Sequence, residues 1–252
     1  MRIGLIGAGN MASALARGFG EPVIVADAVP GKAEALVAEL GGEAVGSNVE
    51  VAERADAVWL CHKPGQLEDV AQSMDGKAKA IVSILGGVKL DDLERAYRQI
   101  PVYRFLPSIP AQVRQGVSCY APGHHAAEGP EQEIVELFER VGTVVRVDEP
   151  LIEPAMALMS CGPAFLALVA EAMVDAGVRH GLQPDDASLM AVETMAGTAA
   201  LLRETDHDTH GLRRRVTSPG GSTARGLEAL ERGGLRAAFH DAVRAVVEGG
   251  KR

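Results

Sequence analysis

The chain has 252 residues, 47% of them hydrophobic and 23% charged, with a formal net charge of −9. That length sits where one large domain gives way to two smaller ones. The acid excess argues against a nucleic-acid surface, and the one dense basic run, Arg213-Arg214-Arg215, reads as a solvated helix end.

The chain opens directly on an apolar run, Met1 to Ile6, with no signal peptide pattern. Ile3–Ile6, Val23–Ala26, Ala57–Cys61, Ala80–Ile84 and Val144–Val147 read as buried strands. Between them Met11–Phe19, Lys32–Leu40, Gln66–Met74, Leu90–Gln99 and Gln132–Val141 carry helical spacing. Strand and helix in alternation predict a doubly wound parallel sheet of the Rossmann type over residues 1–148. Aromatic residues make up only 4%, so Ala, Val, Leu and Met are expected to build its core.

After Asp148 the strand signals stop. Pro154–His180, Pro184–Glu204, Thr209–Arg215, Thr223–Arg232 and Leu235–Glu248 predict an all-helical domain over residues 149–252. The nearly uncharged stretch Ala155–Ala170 falls short of the ~20 residues of a membrane span and contains Gly162-Pro163. It is expected to be buried in protein, in a dimer, and not in a membrane. Cys61, Cys119 and Cys161 show no CxxC spacing, which fits a reducing, cytoplasmic compartment.

Gly7-Ala8-Gly9-Asn10-Met11-Ala12 follows the first strand and opens the first helix, the context a dinucleotide fingerprint requires. Gly7 permits the tight turn, Gly9 lets the backbone approach a pyrophosphate, and Ala12 fills the third small position. The helix N-terminus offers unpaired N–H groups and positive dipole to the phosphates. Asp27 ends the second strand 20 positions after Gly7 (27 − 7), where a carboxylate binds ribose hydroxyls. A carboxylate there repels a 2′-phosphate, so charge favours NADH over NADPH, while nearby Lys32 keeps NADPH open. Lys63-Pro64 lies at the carboxyl end of a strand, on the ligand-binding rim, or is a solvated loop. Asn48 either reaches the adenosine ribose or caps the helical stretch Glu50–Arg54. The histidines assemble no metal site: His124 and His125 are adjacent, and His207 and His210 lie in a polar loop with no third ligand at regular spacing.

Several motifs in order carry a resemblance. They are the Gly7–Met11 turn; His62-Lys63-Pro64; Ser83-Ile84-Leu85-Gly86-Gly87-Val88; and Arg104-Phe105-Leu106-Pro107-Ser108-Ile109-Pro110-Ala111. Cys161-Gly162-Pro163-Ala164-Phe165 follows, then Val216-Thr217-Ser218-Pro219-Gly220-Gly221-Ser222-Thr223 and Leu230–Ala238. Over essentially its whole length the chain resembles pyrroline-5-carboxylate reductases, which complete proline biosynthesis. The resemblance implies NAD(P)H-dependent reduction of a cyclic imino acid to L-proline. It also implies a homodimer or higher oligomer of interleaved helical halves, with substrate near that interface under the nicotinamide. Two segments depart from the family: Ser108 stands for an Asn and Leu106 for a Met, and Met159-Ser160-Cys161 loses a Gly. A related cyclic imine is therefore an alternative substrate.

Imine reduction needs an anchor for the substrate carboxylate and a hydrogen-bond partner for the ring nitrogen. Gly220 and Gly221 expose backbone N–H groups just before a predicted helix, and Ser218, Ser222 and Thr223 complete that turn. The family match makes Thr223 the nearest thing to a catalytic side chain. Without it, the same residues are a turn leading into a capped helix. A β-hydroxyacid dehydrogenase would place a lysine in the helical half, yet none occurs between Lys89 and Lys251. A catalytically silent, dinucleotide-binding regulator is the third reading, and a carboxylate-receiving turn counts against it.

Overall fold

Runs of Ile, Val, Leu and Ala build inner strands buried on both sides, as a sheet sandwiched between helices requires. Val144–Val147, expected as a buried strand, falls instead at a sheet edge, with Val145 43% exposed. The computed structural model describes residues 1–249, so Lys251, the far end of the lysine-free span, lies outside the described residues. The eight strands are β1 (Ile3–Ile6), β2 (Val23–Ala26), β3 (Gly42–Ala44), β4 (Ala57–Leu60), β5 (Ile81–Ser83), β6 (Val102–Pro107), β7 (Gly116–Pro122) and β8 (Gly142–Arg146). They form one sheet in the order β3-β2-β1-β4-β5-β6-β7-β8. Neighbours are parallel throughout, with Ile3 opposite both Val23 and Ala57, except that β6 and β7 run antiparallel.

Alternation along each strand feeds two cores. On one face Ile3, Leu5, Ala57 and Trp59 meet α1 (Asn10–Phe19), α2 (Lys32–Leu40) and α6 (Glu131–Glu139). On the other, Ile6, Val58 and Leu60 meet α3 (Asn48–Arg54), α4 (Leu67–Ser73), α5 (Leu90–Ala96) and α7 (Ile152–Met159). The expectation of a core without aromatics fails on the first face. There Phe105 stacks on Phe138 at 4.0 Å and on Tyr120 at 4.7 Å, and Phe19 bridges Phe138 to Trp59. Few aromatics are present, but most are gathered where ring pairs pack best.

Three strands escape the sequence pattern. β3 is an exposed three-residue edge. β6 and β7 hide behind Arg104, Pro107 and Pro122, residues that argue against a central strand. Arg104 is nevertheless 2% exposed, because its guanidinium meets Glu149 at 2.5 Å and Glu153 at 3.3 Å. Glu149 also accepts the Leu90 N–H at 2.9 Å, so one carboxylate ties α5 and the start of α7 to β6.

The helix predicted over 154–180 is two helices, α7 and α8 (Gly162–Arg179), interrupted at Ser160-Cys161. Pro163 lies in the first turn of α8, where a missing N–H costs nothing. By packing, α7 goes with the sheet: Ile152 is fully buried there, and the two compact units divide between Ser160 and Cys161. The second unit contains α8, α9 (Pro184–Glu204), α10 (Thr209–Arg215), α11 (Ser222–Arg232) and α12 (Leu235–Gly249). Within it α8 and α9 pair as a hairpin, closed by Leu182 N–H donating to the Gly177 carbonyl at 3.1 Å. Large apolar side chains on this pair stay exposed, among them Leu168 at 65% and Leu189 at 62%.

Candidate active site

β1 is flanked by β2 on one side and β4 on the other, so the strand order reverses there and a crevice opens beyond the carboxyl ends. The chain leaves β1 through Gly7, at φ +101, whose N–H donates to the Ala26 carbonyl at 2.8 Å. A Cβ on Gly7 would stand 2.7 Å from the Cys61 carbonyl oxygen, so glycine is required. Gly9 is the N-cap of α1 at φ −72, ψ 178, with no side chain capping the helix and no acid in its first turn. A Cβ on Gly9 would meet nothing within 4 Å. The first-turn N–H groups of α1, orphans in any helix, are therefore offered to a ligand and not to the chain itself. Ala12 is 2% exposed, which lets α1 lie close to the sheet.

The crevice has a volume of about 630 Å³, and Gly7, Gly9, Asp27, Lys32, Asn48 and Lys63 all line it. A hollow of about 210 Å³ adjoins it, lined by Asn10, Met11 and Ala12 facing Ile84, Leu85 and Gly86. The two share Gly9, Cys61 and His62. Asp27 stands just beyond β2, its two oxygens accepting the N–H groups of Ala8 at 2.6 Å and Val29 at 2.7 Å. Asn48 is not the cap of α3. Ser47 is, accepting the Glu50 N–H, while the Asn48 amide donates to the Ser73 hydroxyl at 2.8 Å. Pro64 begins a short 3₁₀ turn, Pro64–Gln66, and is not among the residues lining the crevice.

Sequence reasoning passed over His62 as an individual residue. Its Nδ1 lies 2.9 Å from the Lys63 carbonyl, which can only accept, so that nitrogen carries the proton. The Nε2 is buried without a partner, and burial pushes the pKa down, outweighing the carbonyl. The signal was its place in the strand-end tripeptide beside Lys63. Gln66, Asp69 and Ser73, on and before α4, also line the crevice and carried no motif. Cys61 is half-buried between the crevice and its hollow, and desolvation pushes its thiol up to about 12, so it stays protonated. The departure at Ser108 has a local use: its hydroxyl accepts the Val117 N–H at 2.8 Å, bracing β6 against β7. Among the described residues no group of three or more His, Cys, Asp or Glu could hold a metal ion.

In the second unit Ser218, Gly220, Gly221, Ser222 and Thr223 fall in one turn. Gly221 N–H donates to the Ser218 carbonyl at 3.0 Å, and Gly220 turns the chain at φ +68. Gly221 is the N-cap of α11 at φ −72, ψ 177, again without a side-chain cap or an acid in the first turn. The helix begins at Ser222, one residue before the sequence reading, and Thr223 is exposed in its first turn. Arg225, which no motif pointed to, donates to the Gly220 carbonyl at 2.8 Å and sets a positive charge beside the turn.

A reversal of strand order over an uncapped glycine turn, with an acid closing the next strand, defines a Rossmann-class dinucleotide-binding protein. Residues 2–87 match the family described as NADP oxidoreductase, coenzyme F420-dependent, and residues 149–252 match pyrroline-5-carboxylate reductase dimerisation. The pyrroline-5-carboxylate reductase of Methanosarcina acetivorans is 35% identical, over 96% of this chain and 94% of its own. Among solved structures, a pyrroline-5-carboxylate reductase from Coxiella burnetii has a TM-score of 0.93 at 29% identity, covering 99% of this chain and 97% of that one. Plasmodium falciparum pyrroline carboxylate reductase with NADP bound has a TM-score of 0.85 at 26% identity, covering 100% and 97%. The chain belongs to the pyrroline-5-carboxylate reductase family. It is accordingly an oxidoreductase with a nicotinamide dinucleotide cofactor, a small-molecule substrate and a homo-oligomeric state. The β-hydroxyacid dehydrogenase reading falls with that membership.

Proposed function

We propose that the protein reduces the C=N bond of 1-pyrroline-5-carboxylate to give L-proline, the last step of proline biosynthesis, in the cytoplasm. The observation that carries this reading is the α11 turn. It offers uncapped N–H groups to an anion, and it belongs to a chain whose other unit already provides a turn for the dinucleotide. The fit of the cofactor rests on Gly9, where only the absence of a side chain leaves the approach to α1 open.

In this reading Gly7, Gly9, Asn10, Met11 and Ala12 form the pyrophosphate turn, Asp27 and Asn48 face the adenosine ribose, and Lys63 and Pro64 stand on the rim. When bound, the reduced nicotinamide supplies the hydride that goes to the imine carbon. Ser218, Gly220, Gly221 and Ser222 hold the substrate carboxylate, and Arg225 adds charge on the same side. The Thr223 hydroxyl hydrogen-bonds the ring nitrogen and relays the proton that nitrogen gains, so one hydride and one proton complete the amine. Asp27 favours NADH over NADPH by charge. The exposed apolar faces of α8 and α9 form the self-association surface of a dimer or a higher assembly. A related cyclic imine remains the second reading, on the strength of Ser108 and Met159–Cys161.

The test is a steady-state panel of cyclic imino acids of differing ring size, followed at the NADH and NADPH absorbance. Turnover is expected to be fastest with 1-pyrroline-5-carboxylate, and Thr223→Val is expected to cut kcat at least 10-fold while leaving cofactor affinity unchanged. Faster turnover of an imine of another ring size would move the substrate to the second reading, and an unchanged kcat would remove Thr223 from the chemistry.

A further inference from the structure

Resting on that dinucleotide reading, the geometry points to a second job for Asp27. We propose that its carboxylate holds the phosphate-binding turn in shape, as a positioning residue, independently of its charge selecting between ribose and 2′-phosphate. The two consecutive N–H groups of the turn go to two consecutive residues at the end of β2. Gly7 donates to the Ala26 carbonyl at 2.8 Å, and Ala8 donates to Asp27 Oδ2 at 2.6 Å. The β1–β2 ladder ends with Ile6 opposite Ala26, so the Asp27 side chain extends it by one further bond after the backbones have diverged. The second oxygen takes the Val29 N–H at 2.7 Å and fixes the carboxylate plane.

The consequence lies in where Ala8 points its donor. That N–H is used up inside the fold, so the anion is received by the first-turn N–H groups of α1, whose direction Ala8 and Gly9 set. Each carboxylate oxygen keeps a second lone-pair direction, which leaves room for ribose hydroxyls. Shape and charge are thus carried by one group but separable by substitution. Serine has a single, shorter oxygen that cannot span both donors, and it leaves the part-buried Ala8 N–H unpaired. Asparagine keeps a carbonyl oxygen for Ala8 and discards the charge. Its amide then faces the exposed Val29 N–H, which water can serve.

The experiment measures dissociation constants for NADH and NADPH with the full-length wild type, Asp27→Ser and Asp27→Asn, alongside thermal melts. Asp27→Asn is expected to bind NADPH at least as well as wild type and to shift the NADPH-to-NADH preference at least 5-fold. Asp27→Ser is expected to lose NADH affinity more than 10-fold with no gain for NADPH. A loss of turn shape alone would leave that preference ratio unmoved, which is why the ratio is read beside the melting temperature. A gain in NADPH affinity by Asp27→Ser equal to that of Asp27→Asn would overturn the proposal, reducing the carboxylate to a charge filter. So would equal losses by both variants. Wild type binding neither nucleotide would instead overturn the dinucleotide reading beneath it.

Discussion

Two glycine turns start two helices of this chain with nearly the same backbone, Gly9 at φ −72, ψ 178 and Gly221 at φ −72, ψ 177. Their surroundings differ. Gly9 opens a helix that buries Leu15, Ala16 and Phe19 against a sheet with cores on both faces. Gly221 opens a helix that buries no residue, in a unit whose hairpin α8–α9 buries only Ala187 and Ala191. The same uncapped helix start is therefore present in both units, whereas the packing that steadies it is complete within one protomer only for the first. The second unit leaves its apolar area to be covered by another copy of the chain, as a homo-oligomer does.

The most severe way to break that contrast is Leu189→Glu. At 62% exposure in the protomer, the substitution costs a single copy within ~0.5 kcal/mol. Buried between copies, an unpaired carboxylate costs several kcal/mol, so association is expected to weaken by about 1,000-fold or more. Sedimentation should show monomers whose NADH affinity stays close to that of wild type. Loss of nucleotide binding on dissociation would show that the first unit is not self-sufficient. Gly9→Val is the next in size. Its side chain enters open space in the crevice, so nucleotide affinity should fall about 100-fold, ~2.7 kcal/mol, with little change in melting temperature. The same change at Gly221 would run into the Ser218 hydroxyl and disturb the turn itself, so the two turns should respond differently. Equal responses would erase the distinction.

The legible parts of the molecule were those with local causes. β1, β2, α2, α9 and α10 stand where their periodicity and caps put them, because apolar spacing and the Gly7–Ala12 pattern act within one element. What escaped depends on partners distant in sequence. Arg104 sits inside β6 only because Glu149 and Glu153 arrive 45 and 49 residues later. The break at Ser160-Cys161 was half legible: Gly162-Pro163 marks a helix start in the sequence, but that α7 goes with the sheet and α8 with the second unit is not written there. In the crevice, Asp27 was found by its distance from Gly7. Its grip on Ala8, and the wall supplied by α4 through Gln66 and Asp69, needed the folded register of β1 against β2 and β4.

His62 gives the mildest and most local probe of the first unit. Burial holds its pKa below the ordinary value of about 6.5, which the unfolded chain keeps. Above that pH both states are neutral and the residue contributes no pH slope. As pH falls below it, the unfolded chain takes up the proton first, so stability declines until the folded imidazole titrates too. Melts between pH 7.5 and 5 should therefore show a downward slope that His62→Gln lessens, by less than either effect above. His62 lines both the crevice and its hollow, so an anionic nucleotide held there would favour the imidazolium, and saturating NADH should then flatten the wild-type slope. If His62→Gln melts with the wild-type pH profile, His62 is not the source of the slope, and if NADH leaves that profile unaltered, its ring does not sense the nucleotide.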